Sequence, residues 1–258
     1  MRFTVKVGSL HINKTWRLLV LHNYDEVIRE SNYSYTCVID LLHIRGKHEQ
    51  QCVFNMNNNV CSAVLLGHSF IRRLNDFMKD NPSYYNLRLY ENLFDIRCRA
   101  QGGLTVFRLI HERYDLYDFG HFTPTIIYLQ IGGNDLSKPG ISSEKLANDI
   151  VSFANYLHHG KGIPIVIVGE LLWRHPNKVG DEYNPKVVDT NVLIRQKLTT
   201  GNKDNIFMWR HRGFWTDFSH LDRDGVHLND DGMKKYFRSI RSAIIHAKST
   251  FGNASLVI

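Results

Sequence analysis

From residue 60 onward, short runs of apolar residues alternate with stretches in which apolar residues recur at helical spacing. The clearest run covers residues 125–131, because β-branched and aromatic residues fill it and two glycines close it. Further strands are predicted over residues 63–66, 92–97, 164–168 and 206–209. Strands that alternate with helices indicate right-handed crossovers and a mostly parallel sheet with helices on both faces.

The stretches between and after these strands carry the capping residues and apolar periodicity of helices. Helices are predicted from Ser69, over residues 104–112, from Ser142 or Ser143 to about Gly160, over residues 187–198, and from Asp230 or Asp231 to about Lys248. Sheets of this kind bind their ligands beyond the carboxyl ends of the strands. Ser69, Gly103 and Asn134 each follow a predicted strand, so we expect them to converge there.

The first sixty residues do not fit this alternation. Residues 3–7 alternate like an exposed strand, residues 35–44 are compatible with another, and the asparagine-rich residues 55–59 are typical of a linker. We therefore predict three parts, which are an N-terminal extension of unknown structure over residues 1–59, a domain of alternating strands and helices over residues 60–248 and a C-terminal tail over residues 249–258.

The composition is that of an ordinary globular protein, with 43% hydrophobic and 22% charged residues. No window approaches the roughly 18 apolar residues of a spanning helix, and the run at residues 18–21 is too short and too late for a signal peptide. The cysteines occur singly, which argues against a zinc–thiolate site and favours reduced thiols; they are Cys37, Cys52, Cys61 and Cys98. We expect a cytoplasmic protein.

The formal net charge of +7 favours anionic partners by long-range attraction. The basic residues, however, occur in short scattered groups such as Arg72–Arg73, without a long basic run or a nucleic-acid-binding motif. Nucleic acid thus stays open as a partner, but the charge alone gives it little support.

The turn Gly67-His68-Ser69 follows a predicted strand directly and opens a predicted helix. A serine at such a turn lies beside the first backbone N–H groups of the helix, which suits a nucleophile and an anion together. A plain N-cap is the alternative role for Ser69.

Asp224-Gly225-Val226-His227 places a carboxylate three residues before an imidazole. The carboxylate can accept from one ring nitrogen of His227 while the other nitrogen faces a serine, so that His227 is a candidate base and Asp224 its orienting partner. Because the chain has 14 histidines, the spacing alone is weak evidence. The context, which is a turn followed directly by a predicted helix, favours His227 over the others.

Two further segments offer hydrogen-bond donors for a developing oxyanion. Asn134, after Gly132 and Gly133, supplies an uncharged side-chain amide, although an asparagine that stabilises a turn would look the same. Gly103 can bring its backbone N–H close to a substrate because it has no side chain, and the neighbouring Gly102 competes for this role.

In order and spacing, these four segments resemble the blocks of the SGNH hydrolases, also called GDSL-type esterases and lipases, over roughly residues 60–248. The resemblance implies a three-layer α/β/α sandwich with a flavodoxin-like, mostly parallel central sheet of about five strands. It also implies that Ser69 is the nucleophile, that Asp224 and His227 complete the triad, and that Ser69, Gly103 and Asn134 form the oxyanion hole.

The first block departs from the family pattern, because Gly-His-Ser stands where Gly-Asp-Ser is usual. The usual aspartate is not the catalytic acid, so its replacement by His68 need not abolish activity. Our hypothesis is that His68 is structural or faces the substrate and that His227 is the base. The sequence from Gly67 to Arg73 is also similar to esterase-like domains of invertebrate proteins, some of them associated with retroelements.

The resemblance implies a serine esterase that cleaves carboxylic esters through an acyl-enzyme and needs no metal or organic cofactor. Acetyl or short acyl esters, lysolipids and acylated sugars are all compatible substrates. Two alternatives stay open at this point: transfer of the acyl group to a sugar or lipid hydroxyl instead of water, and an esterase-like binding module, whose ligand could be a nucleic acid.

Overall fold

A computed structural model describes the backbone of residues 2–7, 10–15, 36–40 and 51–55, together with residues 60–200 and 205–251. Side chains are described for residues 60–200 and 205–250. The chain divides into two compact units, Met1–Asn59 and Val60–Ile258.

The first unit contains an antiparallel sheet in the order β2-β1-β3-β4. Its strands are β1 (Arg2–Val7), β2 (Leu10–Thr15), β3 (Thr36–Asp40) and β4 (Gln51–Asn55). The sequence predicted strands at β1 and β3 but not at β2 and β4. Of the predicted linker, Asn55 ends β4 and residues 56–59 lie outside the described residues. The predicted domain boundaries stay a prediction.

The second unit contains a five-stranded sheet in the order β6-β5-β7-β8-β9, and every neighbouring pair is parallel. Its strands are β5 (Cys61–Gly67), β6 (Phe94–Ala100), β7 (Ile126–Gln130), β8 (Ile165–Gly169) and β9 (Ile206–Trp209). Numbered within this sheet, the order is 2-1-3-4-5, which is the flavodoxin-like doubly wound arrangement. The predicted fold class is confirmed.

Each strand of the five-stranded sheet is followed by one or more helices. They are α1 (Ser69–Asp80), α2 (Val106–Glu112), α3 (Ser143–Asn155, continued by a π-helical turn at Tyr156–Gly160), α4 (Pro176–Val179), α5 (Tyr183–Thr200) and α6 (Asp230–Phe251). As predicted, Ser142 caps α3, and its hydroxyl accepts from the Lys145 N–H at 3.2 Å. None of the helices described is both long and apolar enough to cross a membrane.

The last helix corrects the sequence analysis at both ends. Its N-cap is Asn229 rather than Asp230 or Asp231, because the Asn229 Oδ1 accepts from the Gly232 N–H at 2.9 Å. At the other end, the helix continues to Phe251, which lies inside the predicted tail. Residues 252–258 lie outside the described residues.

Strands β5, β7 and β8 are buried on both faces, which explains why they are continuous apolar runs, whereas the edge strand β6 alternates between apolar and polar residues. In β7, Ile127 and Leu129 belong to a core cluster shared with α2, α3 and α5. Ile126 and Tyr128 point the other way, into a cluster shared with α1 and α6. Alternation along a strand thus divides the core into two layers on either side of the sheet.

A buried polar network lies near the carboxyl end of β7. The Oε1 of Gln130 accepts from the hydroxyls of Tyr128 and Tyr236, each at 3.0 Å. The imidazole of His211 lies 2.7 Å from the Tyr128 hydroxyl through Nε2 and 2.8 Å from the Ser239 hydroxyl through Nδ1. Because every one of these polar groups finds a partner, the network connects α6 to the sheet without leaving buried donors unsatisfied.

Gly67 is required where β5 and β7 approach each other most closely. A Cβ added there would overlap the carbonyl oxygen of Gln130, which is backbone and cannot rotate away. We predict that Gly67→Ala lowers the free energy of unfolding by about 3 kcal/mol or more, measured by urea denaturation. Gly102→Ala is the matched control, with an expected change within about 0.5 kcal/mol, because its Cβ would meet only Arg72 at 3.5 Å. Equal stability of the two variants would contradict this account.

Candidate active site

Ser69 is the first residue of α1 and is 4% exposed. His68, one residue earlier, is the N-cap of this helix, and its Nδ1 accepts from the Phe70 N–H at 3.3 Å. The N-cap role that the sequence left open for Ser69 therefore falls to His68. As a result, the Ser69 hydroxyl does not cap the helix, and the N–H groups of the first helical turn lie beside it.

His68 is buried as a neutral side chain. Burial, assisted by the nearby positive charge of Arg174, lowers its pKa to about 3. Since Nδ1 accepts a hydrogen bond, the proton of the neutral ring is on Nε2. An imidazole that accepts from the Phe70 N–H does what an aspartate N-cap would do at this position, but it brings no negative charge.

Asp224 and His227 form a tight turn before α6. One carboxylate oxygen of Asp224 accepts from the backbone N–H groups of Val226 and His227, each at 2.8 Å. The other oxygen lies 2.6 Å from the His227 Nδ1. Partial burial opposes the charge of Asp224, but these hydrogen bonds outweigh it and hold the pKa of the carboxyl well below its usual range.

The other ring nitrogen of His227, Nε2, lies 3.0 Å from the Ser69 Oγ. Because an ionised carboxylate only accepts, the His227 proton is on Nδ1 and Nε2 is free to accept from the serine hydroxyl. The structure therefore brings Ser69, His227 and Asp224 into one hydrogen-bonded chain, although 155 residues separate Ser69 from Asp224 in the sequence.

Asn134 and Gly103 lie on two adjacent loops that follow β7 and β6. The Nδ2 of Asn134 donates one hydrogen to the Leu104 carbonyl at 3.0 Å, and its second amide hydrogen has no partner among residues 60–200 and 205–250. Gly103 is exposed and has a φ of +69°. Both loops follow strands that neighbour β5, so Gly103 and Asn134 lie at the same edge of the sheet as Ser69.

A second contact fixes these two loops to each other. The carboxylate of Asp135 accepts from the Val106 N–H at 3.1 Å, at the beginning of α2. Burial raises the pKa of Asp135 to about 6 despite this hydrogen bond. The sequence analysis did not identify Asp135 as a site residue, and only its position directly after Asn134 could have indicated a role near the site.

Arg174 is the largest departure from the expectations. It begins a polar segment, residues 174–185, whose prolines and glycine are typical of an exposed loop, yet Arg174 is only 4% exposed. Its Nη2 donates to the Asn134 Oδ1 and its Nη1 to the Ser137 hydroxyl, both at 2.9 Å. The segment is also partly helical, since it contains α4 and since α5 begins at Tyr183. No local pattern in the sequence distinguishes this arginine from a solvated one.

Two other residues support the Asp224–His227 turn. Arg73, one helical turn after Ser69, places its guanidinium 3.6 Å from the Asp224 carboxylate. Asn229 donates through Nδ2 to the carbonyls of Ser219 and Leu221 while its Oδ1 caps α6. Both were missed because their partners are distant in sequence or are backbone atoms.

A doubly wound α/β/α sandwich with Ser69, His227 and Asp224 hydrogen-bonded at the carboxyl edge of its sheet has the architecture of the SGNH hydrolases. A family model for the GDSL-like lipases/acylhydrolases matches residues 53–240. The chain belongs to this family, and it is accordingly a hydrolase of ester bonds.

Solved structures support the fold at low sequence identity. A GDSL-like lipase from Bacteroides thetaiotaomicron is 19% identical with a TM-score of 0.52, and the match covers 74% of this chain and 93% of that one. A carbohydrate esterase of family 3 from Talaromyces cellulolyticus is 13% identical with a TM-score of 0.56, covering 74% and 100%. A lipase/acylhydrolase from Enterococcus faecalis is 15% identical with a TM-score of 0.53, covering 72% and 95%. A comparison with curated protein sequences gives no significant match.

Because His68 and His211 are buried, we predict that the folded protein loses stability in acid. Burial lowers the pKa of both His68 and His211 to about 3. An unfolded histidine has a pKa of about 6.5. Between these values the unfolded chain binds protons that the folded chain does not, so stability falls as the pH falls from about 6.5. At pH 4.5, each of these two histidines should lower the free energy of unfolding by about 2 kcal/mol relative to pH 7, measured by urea denaturation at both pH values.

Asp135 acts in the opposite direction, because its raised pKa means that the folded chain holds the extra proton between about pH 6 and pH 4. The fall in stability between pH 7 and pH 4.5 should therefore be smaller in His211→Gln than in wild type, and larger in Asp135→Asn. A His211→Gln variant that loses as much stability as wild type would refute the assignment of His211.

Proposed function

We propose that this protein is a serine esterase that cleaves carboxylic esters of acetyl or short acyl groups through an acyl-enzyme. The observation that carries the proposal is the continuous hydrogen-bonded chain from the Ser69 Oγ through the His227 ring to the Asp224 carboxylate, with distances of 3.0 and 2.6 Å. Membership of the GDSL-like family supports the reaction class but leaves the residue roles to be tested.

In the first half of the proposed reaction, the His227 Nε2 accepts the Ser69 hydroxyl proton while the Ser69 Oγ attacks the ester carbonyl. Asp224 then stabilises the imidazolium, and its low pKa keeps it ionised at neutral pH. When the tetrahedral intermediate collapses, the carbonyl is re-formed and the bond to the alcohol breaks. His227 returns the proton to the departing alkoxide.

The oxyanion of this intermediate needs donors that are in place before the reaction. We assign this role to the backbone N–H groups of Ser69 and Gly103 and to the free amide hydrogen of Asn134. In the second half, water attacks the acyl carbonyl while His227 takes one of its protons; the bond from the acyl carbon to the Ser69 Oγ then breaks, His227 returns the proton to Oγ, and the acid leaves. Neutral His68 fits this site because it does not place a second carboxylate beside the developing negative charge.

The alcohol part of the substrate is less constrained than the acyl part. The names of similar structures include a carbohydrate esterase and lipases, so an acylated sugar and a lysolipid are both retained as candidate substrates. No contact among the described residues favours transfer to an acceptor alcohol or binding to nucleic acid over hydrolysis.

Ser69→Ala tests the nucleophile. We predict that wild type hydrolyses p-nitrophenyl acetate and butyrate with a burst of p-nitrophenol and that Ser69 is labelled by a fluorophosphonate. Both should vanish in Ser69→Ala, with a rate loss of roughly 10⁴-fold or more. Ser152→Ala, on the surface of α3, is the matched control and should keep full activity. A folded wild type without turnover or labelling would overturn the proposal.

A pair of histidine variants tests the base. His227→Ala should reduce turnover and fluorophosphonate labelling by roughly 10³-fold or more. His68→Asn should stay within about tenfold of wild type, since an asparagine oxygen can also accept from the Phe70 N–H. If His68→Asn lost as much activity as His227→Ala, the role of base would have to be reassigned.

A further inference from the structure

Arg174 is a buried cation beside the proposed oxyanion hole, and it has no carboxylate partner among residues 60–200 and 205–250. Its guanidinium is held instead by neutral groups, which are the Asn134 Oδ1, the Ser137 hydroxyl and the face of the Tyr183 ring at 5.2 Å. Buried charges are normally paired, since an unpaired one loses hydration without Coulombic compensation. Its location therefore calls for a functional explanation.

The contact with Asn134 constrains both ends of one amide. Arg174 donates to Oδ1, while Nδ2 donates one hydrogen to the Leu104 carbonyl. With the oxygen and one hydrogen fixed, the second hydrogen can point in only one direction. A cation bonded to the amide oxygen also polarises the amide and makes its N–H groups stronger donors.

The surroundings of Arg174 are shaped to hold it in place. A Cβ added to Gly133 would lie 3.1 Å from the Arg174 Nη2 and 3.2 Å from the Tyr183 hydroxyl. The guanidinium thus packs directly over the backbone of the residue before Asn134. The Tyr183 hydroxyl donates to the Gly133 carbonyl at 3.2 Å, so the ring under the guanidinium is fixed to the same loop.

We propose that Arg174 is a positioning residue for the oxyanion hole, which orients and polarises the Asn134 amide so that its free hydrogen meets the developing oxyanion. This inference rests on the proposed function. No carboxylate of residues 60–200 and 205–250 lies within ion-pair distance of Arg174, and the negative charge that the Asn134 amide would meet appears only when the tetrahedral intermediate forms. An interaction that is better in the transition state than in the ground state raises kcat rather than lowering KM.

A double-mutant cycle tests whether Arg174 acts through Asn134. Asn134→Ala should lower kcat by roughly 10²- to 10³-fold, and Arg174→Met by roughly 10- to 100-fold with KM within about threefold of wild type. Adding Arg174→Met to Asn134→Ala should cost less than about twofold more, because the group that Arg174 positions is already absent. If the two losses multiply instead, Arg174 does not act through Asn134 and the inference fails.

Three further variants separate positioning from folding. Arg97→Met is the control for loss of an arginine outside the site, because Arg97 shares with Arg174 a cation–π contact, to Phe122 at 4.2 Å, but pairs with Asp95 and is exposed; it should leave kcat unchanged. Arg174→Lys keeps the charge and should recover part of the activity lost in Arg174→Met. Ser137→Ala removes the acceptor of Nη1, together with the hydrogen bond from the Ser137 hydroxyl to the Gly133 carbonyl, and should fold normally. It should lower kcat several-fold in wild type but not in Asn134→Ala. If Arg174→Met does not fold, Ser137→Ala replaces it in the double-mutant cycle with Asn134→Ala.

A readout without turnover distinguishes failure of this inference from failure of the proposed function. In protein labelled with ¹⁵N-asparagine, the side-chain amide signals of Asn134 are identified by their loss in Asn134→Ala. Arg174→Met should shift these signals and speed their exchange with water. Unchanged signals would overturn the positioning role even if wild type proved inactive, whereas shifted signals in an inactive wild type would overturn the esterase proposal alone.

Discussion

Strand β5 is hydrogen-bonded to β6 on one side and to β7 on the other, and the positions of Ser69, Gly103 and Asn134 follow from these two pairings. The three strands are parallel and in register, so they end together, and the loops that follow them carry Ser69, Gly103 and Asn134. The close approach is possible because Gly67 has no side chain. The parallel ladder even continues one residue further, where the His68 N–H donates to the Gln130 carbonyl at 3.1 Å.

Most of the second unit could be predicted from its sequence because strands buried on both faces are continuous apolar runs. The runs around residues 63–66 and 125–131 were therefore placed within a few residues of β5 and β7, and each helix between strands showed its own period. The first unit could not be predicted to the same extent. Strands β2 and β4 mix polar and apolar residues, so neither shows the continuous apolar run that marks β5 and β7.

At the site, the sequence analysis identified groups with an unusual local setting and missed groups whose partners come from elsewhere in the chain. Ser69 follows a glycine at a strand end, and Asp224 and His227 share one turn, so both stood out. Arg174 looked like a surface residue because charge and neighbours in sequence say nothing about Asn134, which lies 40 residues earlier. At position 68, where an aspartate is usual in the family, a histidine caps α1. The sequence does not show that this imidazole is neutral, because its lowered pKa follows from its burial in the fold.

The turn that carries His227 is joined to α6 by Asn229, whose side chain holds the carbonyls of Ser219 and Leu221 and caps the helix. This helix extends over 22 residues and is packed along one face of the sheet. The His227 imidazole therefore lies at the N-terminal end of a long helix, whereas Ser69 follows directly after the central strand β5. A small rotation of α6 against the sheet would change the distance between the His227 imidazole and the Ser69 hydroxyl. The packing of distant apolar side chains of α6, such as Ile240 and Ile244, therefore sets the alignment of serine and histidine.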